Sequence, residues 1–190
     1  KLDSAGLLHN TIIVLLGDHG FSLGLRPEEH NSGTIGSGLY SEQSWIPLVI
    51  VGDHPRIRSG VRHHQPANQA DLAPTLIDLA GIAPTNHFTG HSLFRPSTER
   101  GVSYTFYGDE GLIENEEWRV HGSWNNRERE QGEEIFDALA DRNELRDLSD
   151  EKRALRDSLL NVMRKRATLH AWVVEQNRLW QNESPSAARK

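Results

Sequence analysis

Asp18 and His19 stand side by side between Gly17 and Gly20, directly after the apolar run in TIIVLLGDHG. A carboxylate oxygen is a hard donor and an imidazole nitrogen a softer one. Together they suit one divalent cation, the carboxylate favouring Ca²⁺ or Mg²⁺ and the histidine tilting the choice toward Mn²⁺ or Zn²⁺. On residue types alone a hydrogen-bonded Asp–His pair with no ion is the competing account. The other polar clusters carry weaker signals. His63 and His64 are adjacent but have no third ligand at a recognised spacing, and read as a solvated loop. Asp71 and Asp78 read as a helix cap and a solvated side chain.

The element that must present the pair is Thr11 to Leu16, whose β-branched, continuously apolar character predicts a strand buried on both faces, as in a parallel sheet. Ligands of open α/β sheets bind beyond the carboxyl ends of strands, where Asp18 and His19 fall. Neighbouring strand residues point to opposite faces, so both reach one ion only if the chain leaves strand geometry at once. Gly17 and Gly20 permit that bend. The glycine-rich stretch that follows (GTIGSG) matches neither a dinucleotide nor a P-loop fingerprint and reads as a loop.

Further along, Pro47 places the start of a second apolar strand at Leu48 and Gly52 its end. Asn68 to Gly81 predicts a helix with Asn68 or Asp71 as N-cap, Pro74 in its first turn and Gly81 closing it. Composition shifts near Arg95. Val102 to Tyr107 alternates as a half-buried antiparallel strand, with Trp118 to Val120 and Glu134 to Leu139 as partners. From Ser149 to about Trp180, Leu155, Leu159, Val162, Leu169, Val173 and Trp180 recur at helical steps, broken by Arg166 and Gln176, so an amphipathic helix in one or two pieces is expected. The fold class is therefore α/β: residues 1–95 form a core of sheet and helix, 96–148 a small antiparallel region, 149–182 a long amphipathic helix and 183–190 a disordered tail.

Bulk properties narrow the function. The 190 residues carry a formal charge of -6, which argues against a nucleic-acid partner. With no cysteine there is no disulfide, thiolate metal site or cysteine nucleophile. No run approaches the roughly 18 apolar residues of a membrane span. The first residues lack a signal-peptide pattern and an initiator methionine, and the chain reads as a fragment.

Three ordered blocks, NTIIVLLGDHG, LYSEQSWIPLVIVG and NQADLAPTLIDLAGI with TGHSL after it, resemble the C-terminal half of the sulfatase family within the alkaline-phosphatase-like superfamily. EIFDALADRNELRDL is a weaker echo, and LHAWVVEQNRLW is similar to the closing helix of the lipoteichoic-acid-synthase-like members. The resemblance implies a partial alkaline-phosphatase-like sheet flanked by helices, a sulfate or phosphate ester substrate, and Asp18 and His19 as ligands of one divalent cation (Ca²⁺, Mn²⁺, Mg²⁺ or Zn²⁺). It also implies a basic residue contacting the ester before the Leu-Tyr motif. No such residue lies between Thr34 and Gly38, and His30 is the nearest candidate, with Arg26 a weaker one. The family's nucleophile, formylglycine in sulfatases and threonine in phosphoglycerol transferases, belongs to an N-terminal half with the remaining ligands. The expectation is a sulfuric-ester hydrolase incomplete without that half and inactive alone, in an extracytoplasmic setting. The alternatives are a phosphoglycerol or phosphoethanolamine transferase and a degenerate, non-catalytic module.

Overall fold

A computed structural model describes residues 3–21, 39–84, 87–96, 101–124 and 132–183. Strand β1 (Ile12–Leu16) pairs with β2 (Leu48–Gly52) in a two-stranded sheet, and β2 has the bounds that Pro47 and Gly52 imply. The pairing is antiparallel, Ile12 opposite Gly52 and Leu16 opposite Leu48, which corrects the parallel expectation. Nor is β1 buried on both faces. Leu15 is 60% exposed and Val49 47%. A continuous apolar run reports only that both faces are apolar; it carries no information on strand direction or on what covers those faces.

Helix α1 (Ser41–Ser44) is a single turn leading into β2, and α2 (Leu72–Leu79) follows a 3-10 turn at Gln69–Asp71. Asn68 and Asp71 both cap that turn. The Asn68 side chain accepts from the Ala70 amide, and the Asp71 carboxylate accepts from the Asn68 amide at 3.0 Å. Gly81, at φ 66°, ends α2 in the left-handed conformation that a side chain would resist.

Asp78 departs from its expected solvated role. Its side chain is 5% exposed and accepts from Arg56 (2.5 Å), from the Arg95 guanidinium (2.5 Å) and from the Ser92 hydroxyl (2.6 Å). Arg56 foremost, then Ser92 and Arg95, outweigh burial and hold its carboxyl well below the usual range. A periodicity argument assigns faces of a helix, but it cannot see that two arginines and a serine from distant segments converge on one of them.

Beyond Gly101 the chain forms a second sheet of four antiparallel strands in sequence order: β3 (Val102–Tyr107), β4 (Glu110–Asn115), β5 (Trp118–Ser123) and β6 (Glu134–Asp137). Strand β4 is absent from the sequence reading because EGLIEN looks polar. Its Leu112 and Ile113 are each 1% exposed. The turn Gly108–Asp109, with Gly108 at φ 56°, is the two-residue hairpin connection that could have revealed it.

Helix α3 (Arg153–Glu183) runs unbroken for 31 residues across this sheet. The face it buries is Leu160, Met163, Ala167 and Val173, whereas Val162, Leu169 and Trp180 of the expected stripe are 40–49% exposed. Two glycines set that register. Gly111 and Gly122 are cross-strand partners, and a Cβ on either would come within 2.7 Å of Met163 Sδ or Leu160 Cδ2. The paired glycines form a notch that receives both side chains, and Ile113, Val120, Ile135 and Leu148 complete the core. Among the described residues no helix is long and apolar enough to cross a membrane.

Replacing Leu160 by alanine leaves a cavity under β5, and the expected loss is about 3 kcal/mol in chemical denaturation, with the fold retained. For Asp78 the folded-state pKa lies below its ordinary 3.8, so its stabilisation is complete above that value and is lost as pH falls further. Asp78→Asn is expected to lower the denaturation midpoint at neutral pH and to flatten the decline below about pH 4. Parallel pH curves for the two proteins would contradict this.

Candidate metal centre

The turn after β1 is held from two sides by backbone groups. Gly17 N–H donates to Pro47 O (3.2 Å), Gly20 N–H to Gln43 O (2.7 Å) and Phe21 N–H to Glu42 O (2.9 Å), so the segment from α1 to β2 cradles the Asp18–His19 turn. Gln69, at the start of the 3-10 turn before α2, spans its other side. Its amide donates to Gly17 O at 3.1 Å and to Asp18 O at 2.7 Å. Gly20 serves here by close approach. A Cβ there would lie 2.2 Å from Glu42 O, a separation no side chain tolerates.

Within the turn the two side chains share a direction. The His19 amide donates to Asp18 Oδ1 at 3.0 Å, and His19 Nε2 lies 3.7 Å from Asp18 Oδ2. His19 Nδ1 is 2.7 Å from Gly20 O. A carbonyl only accepts, so Nδ1 carries the proton and Nε2 of the neutral ring keeps its lone pair, an arrangement that fixes the tautomer of metal-ligating histidines. Metal–ligand distances run about 2.0 to 2.4 Å, so donors 3.7 Å apart can reach one ion. Asp18 is 91% exposed and His19 46%. The His19 amide above all, then the Asp18 amide, lower the Asp18 carboxyl, keeping it anionic as a ligand must be. The donor set fits a divalent cation in part. Among the described residues no three His, Asp or Glu side chains converge as a complete metal site.

His63 and His64 are exposed on the loop before Asn68, as expected. His30, the expected ester contact, and Arg26 lie outside the described residues. The sequence reading missed Gln69, Tyr40 and the buried side chains that anchor α1. Arg119 and His121 alternate on β5 and meet Glu144, which is fully buried. Glu144 Oε1 lies 3.2 Å from Arg119 Nε and 3.0 Å from His121 Nε2. Glu144 Oε2 accepts the Ser41 amide at 2.7 Å. Arg119 Nη2 donates to Ser44 Oγ and pairs with Glu114, while the Trp45 ring covers the guanidinium at 4.8 Å. Tyr40 stacks on His121 and donates to Glu134. Burial alone would raise the Glu144 carboxyl; the His121 hydrogen bond and the Arg119 charge outweigh it, and the group stays anionic. The alternation of Arg119 and His121 in WRVHGS was the available signal, since two cationic types on one face of a strand call for a buried acid.

Comparison with known proteins gives the geometry a context. Residues 1–82 match the family model described as Sulfatase. Over 92 residues the chain is 33% identical to arylsulfatase K of Danio rerio, covering 48% of this chain and 16% of that protein. Over 87 residues it is 36% identical to a Delta 4,5-hexuronate-2-O-sulfatase of Bacteroides thetaiotaomicron, covering 44% and 17%. The chain thus spans about a sixth of the length of these curated relatives. Among solved structures, one in complex with its substrate D-glucosamine-2-N,6-O-disulfate superposes with a TM-score of 0.68 at 22% identity, covering 97% of this chain and 37% of that one. A phosphonate monoester hydrolase from Silicibacter pomeroyi superposes at 0.65 and 20%, covering 90% and 37%. These likenesses show a shared fold, with antiparallel sheets and the long closing helix inside it. Residues 1–82, which hold the Asp18–His19 turn and the elements cradling it, are the part of the chain similar to the sulfatase family.

Proposed function

We propose that this chain contributes Asp18 and His19 as two ligands of a divalent cation in a sulfuric-ester hydrolase. The observation that carries the reading is the His19 ring, whose Nδ1–H is committed to Gly20 O and whose Nε2 lies free beside Asp18 Oδ2. When bound, the ion supplies positive charge against the ester oxygens and keeps a hydroxyl nucleophile deprotonated. The protein's own part is to hold the donors. Gln69 fixes the carbonyls of Gly17 and Asp18, the backbone of α1 fixes Gly20 and Phe21, and the low Asp18 pKa maintains the anionic donor. His30 is assigned to the ester oxygens as part of the same proposal.

The nucleophile and the remaining ligands are assigned to a further segment of the same fold. Two features support this. Catalytic metals ordinarily take three or more protein ligands, and the described residues bring two together. The β1–β2 ribbon also leaves Leu15, Val49 and Val51 45–60% exposed on one face, an apolar surface suited to a further packed layer. The sulfated substrates and sugars named for the relatives suggest a sulfate ester of a carbohydrate as the substrate class.

Calorimetric titration of Mn²⁺ and of Ca²⁺ into the 190-residue chain should give a binding isotherm that Asp18→Ala weakens by at least about tenfold. Identical traces for the two proteins would overturn the ligand assignment. With an aryl sulfate or an aryl phosphate and either metal, the chain alone is expected to show no turnover. Activity that disappears in Asp18→Ala would refute the assignment of the nucleophile to another segment.

A further inference from the structure

The site's turn and the C-terminal sheet are joined through one buried carboxylate. Glu144 follows β6 and sits at φ 54°, a left-handed conformation that side-chain-bearing residues seldom adopt. It is wholly buried, and its two oxygens are divided between two regions. Oε1 faces Arg119 and His121 of β5, and Oε2 accepts the amide of Ser41, 103 residues away. Ser41 is the first residue of α1, and its hydroxyl also donates to Arg142 O at 2.9 Å. The same short helix carries Glu42 and Gln43, whose carbonyls accept the amides of Phe21 and Gly20 next to His19. A contiguous path thus runs from β5 through Glu144 to Ser41, along one helical turn, and to the residue whose carbonyl fixes the His19 tautomer.

We infer that Glu144 is a positioning residue for the Asp18–His19 pair, acting through the α1 turn. The inference rests on the reading of that pair as metal ligands, and extends the site beyond residue 82, where the sulfatase-family match ends. A carboxylate suits the task because an acceptor bearing full charge holds an amide more strongly than a neutral one does. Arg119 and His121 make its burial tolerable.

Ser41→Pro isolates the link. Tyr40 already has φ -69° and ψ 165°, the conformation favoured before proline, and the first helical position accepts proline readily. The substitution therefore deletes the N–H that Glu144 accepts while leaving the backbone path intact. Ser41→Ala removes the hydroxyl alone and serves as its control. In amide hydrogen exchange on the 190-residue chain, Ser41→Pro and Glu144→Leu should speed exchange at Gly20 and Phe21 on the order of tenfold, as for loss of one charge-assisted hydrogen bond. Amides within β4 and β5 should keep their wild-type rates in Ser41→Pro, and Glu144→Gln, which retains a carbonyl for Ser41, should recover most of the protection. Unchanged exchange at Gly20 and Phe21 in Ser41→Pro, or acceleration equal to that in β4 and β5, would overturn the inference. Mn²⁺ titration separates it from the reading beneath it. A wild-type chain that takes up no Mn²⁺ defeats the ligand assignment, whereas equal Mn²⁺ affinity in wild type and Ser41→Pro defeats the positioning role alone.

Discussion

The dependence of this structure on one interior charge is its governing constraint. A carboxylate moved into a protein interior needs compensation from every side, and Glu144 receives it from a guanidinium, an imidazole and a backbone amide. These partners come from two elements of different standing, the central strand β5 and the single turn α1. Strand β5 is fixed in depth because Arg119 cannot withdraw to solvent without stranding Glu144, and α1, a single turn with no buried residue of its own, acquires an anchor. Short helices are marginal by themselves, since nucleation costs more than one turn returns. The order of α1 is therefore imposed from outside.

That order is passed to the candidate site by steric and hydrogen-bonding means together. The backbone of Glu42 and Gln43 lies so close to Gly20 that no Cβ fits, and two amide hydrogen bonds close the gap. Gln69 opposes them from the far side with a side-chain amide shared between two carbonyls. The Asp18–His19 pair is exposed to solvent while the backbone beneath it is constrained on both flanks, a condition suited to a binding turn on a scaffold.

Much of this arrangement was legible in the sequence. The bounds of β2, the caps at Asn68 and Gly81, the strands from Val102 and Glu134, and the placement of Asp18 and His19 beyond a strand all follow from local chemistry: proline without a donor, glycine at positive φ, side chains that cap. The errors share a cause as well. The direction of β1, the register of α3 and the burial of Asp78 are decided by groups remote in sequence: Leu48 to Gly52, the Gly111–Gly122 notch, and Arg56 with Arg95. Leu155, Leu159 and Val173 of the expected stripe do face the core, but Val162 satisfies the helical period as well as Leu160 and Met163 do, and only the shape of the opposing sheet chooses between them. Glu144 was invisible for the same reason, because nothing in DRNELRD marks one acid among its neighbours as buried.

The hydrogen bonds between segments far apart in sequence have a temporal meaning. Asn177, near the close of α3, brackets the backbone of His87, accepting its N–H at 3.1 Å and donating to its carbonyl at 2.8 Å, across 90 residues of chain. Together with the Ser41–Glu144 link it fastens earlier segments to residues 90 to 103 positions further along the chain. During synthesis β1, α1 and the Asp18–His19 turn emerge well before the groups that secure them, and loop closure on that scale is slow. The Asp18–His19 turn is therefore secured only after Glu144 has been added, and not in the order in which its own residues are encoded.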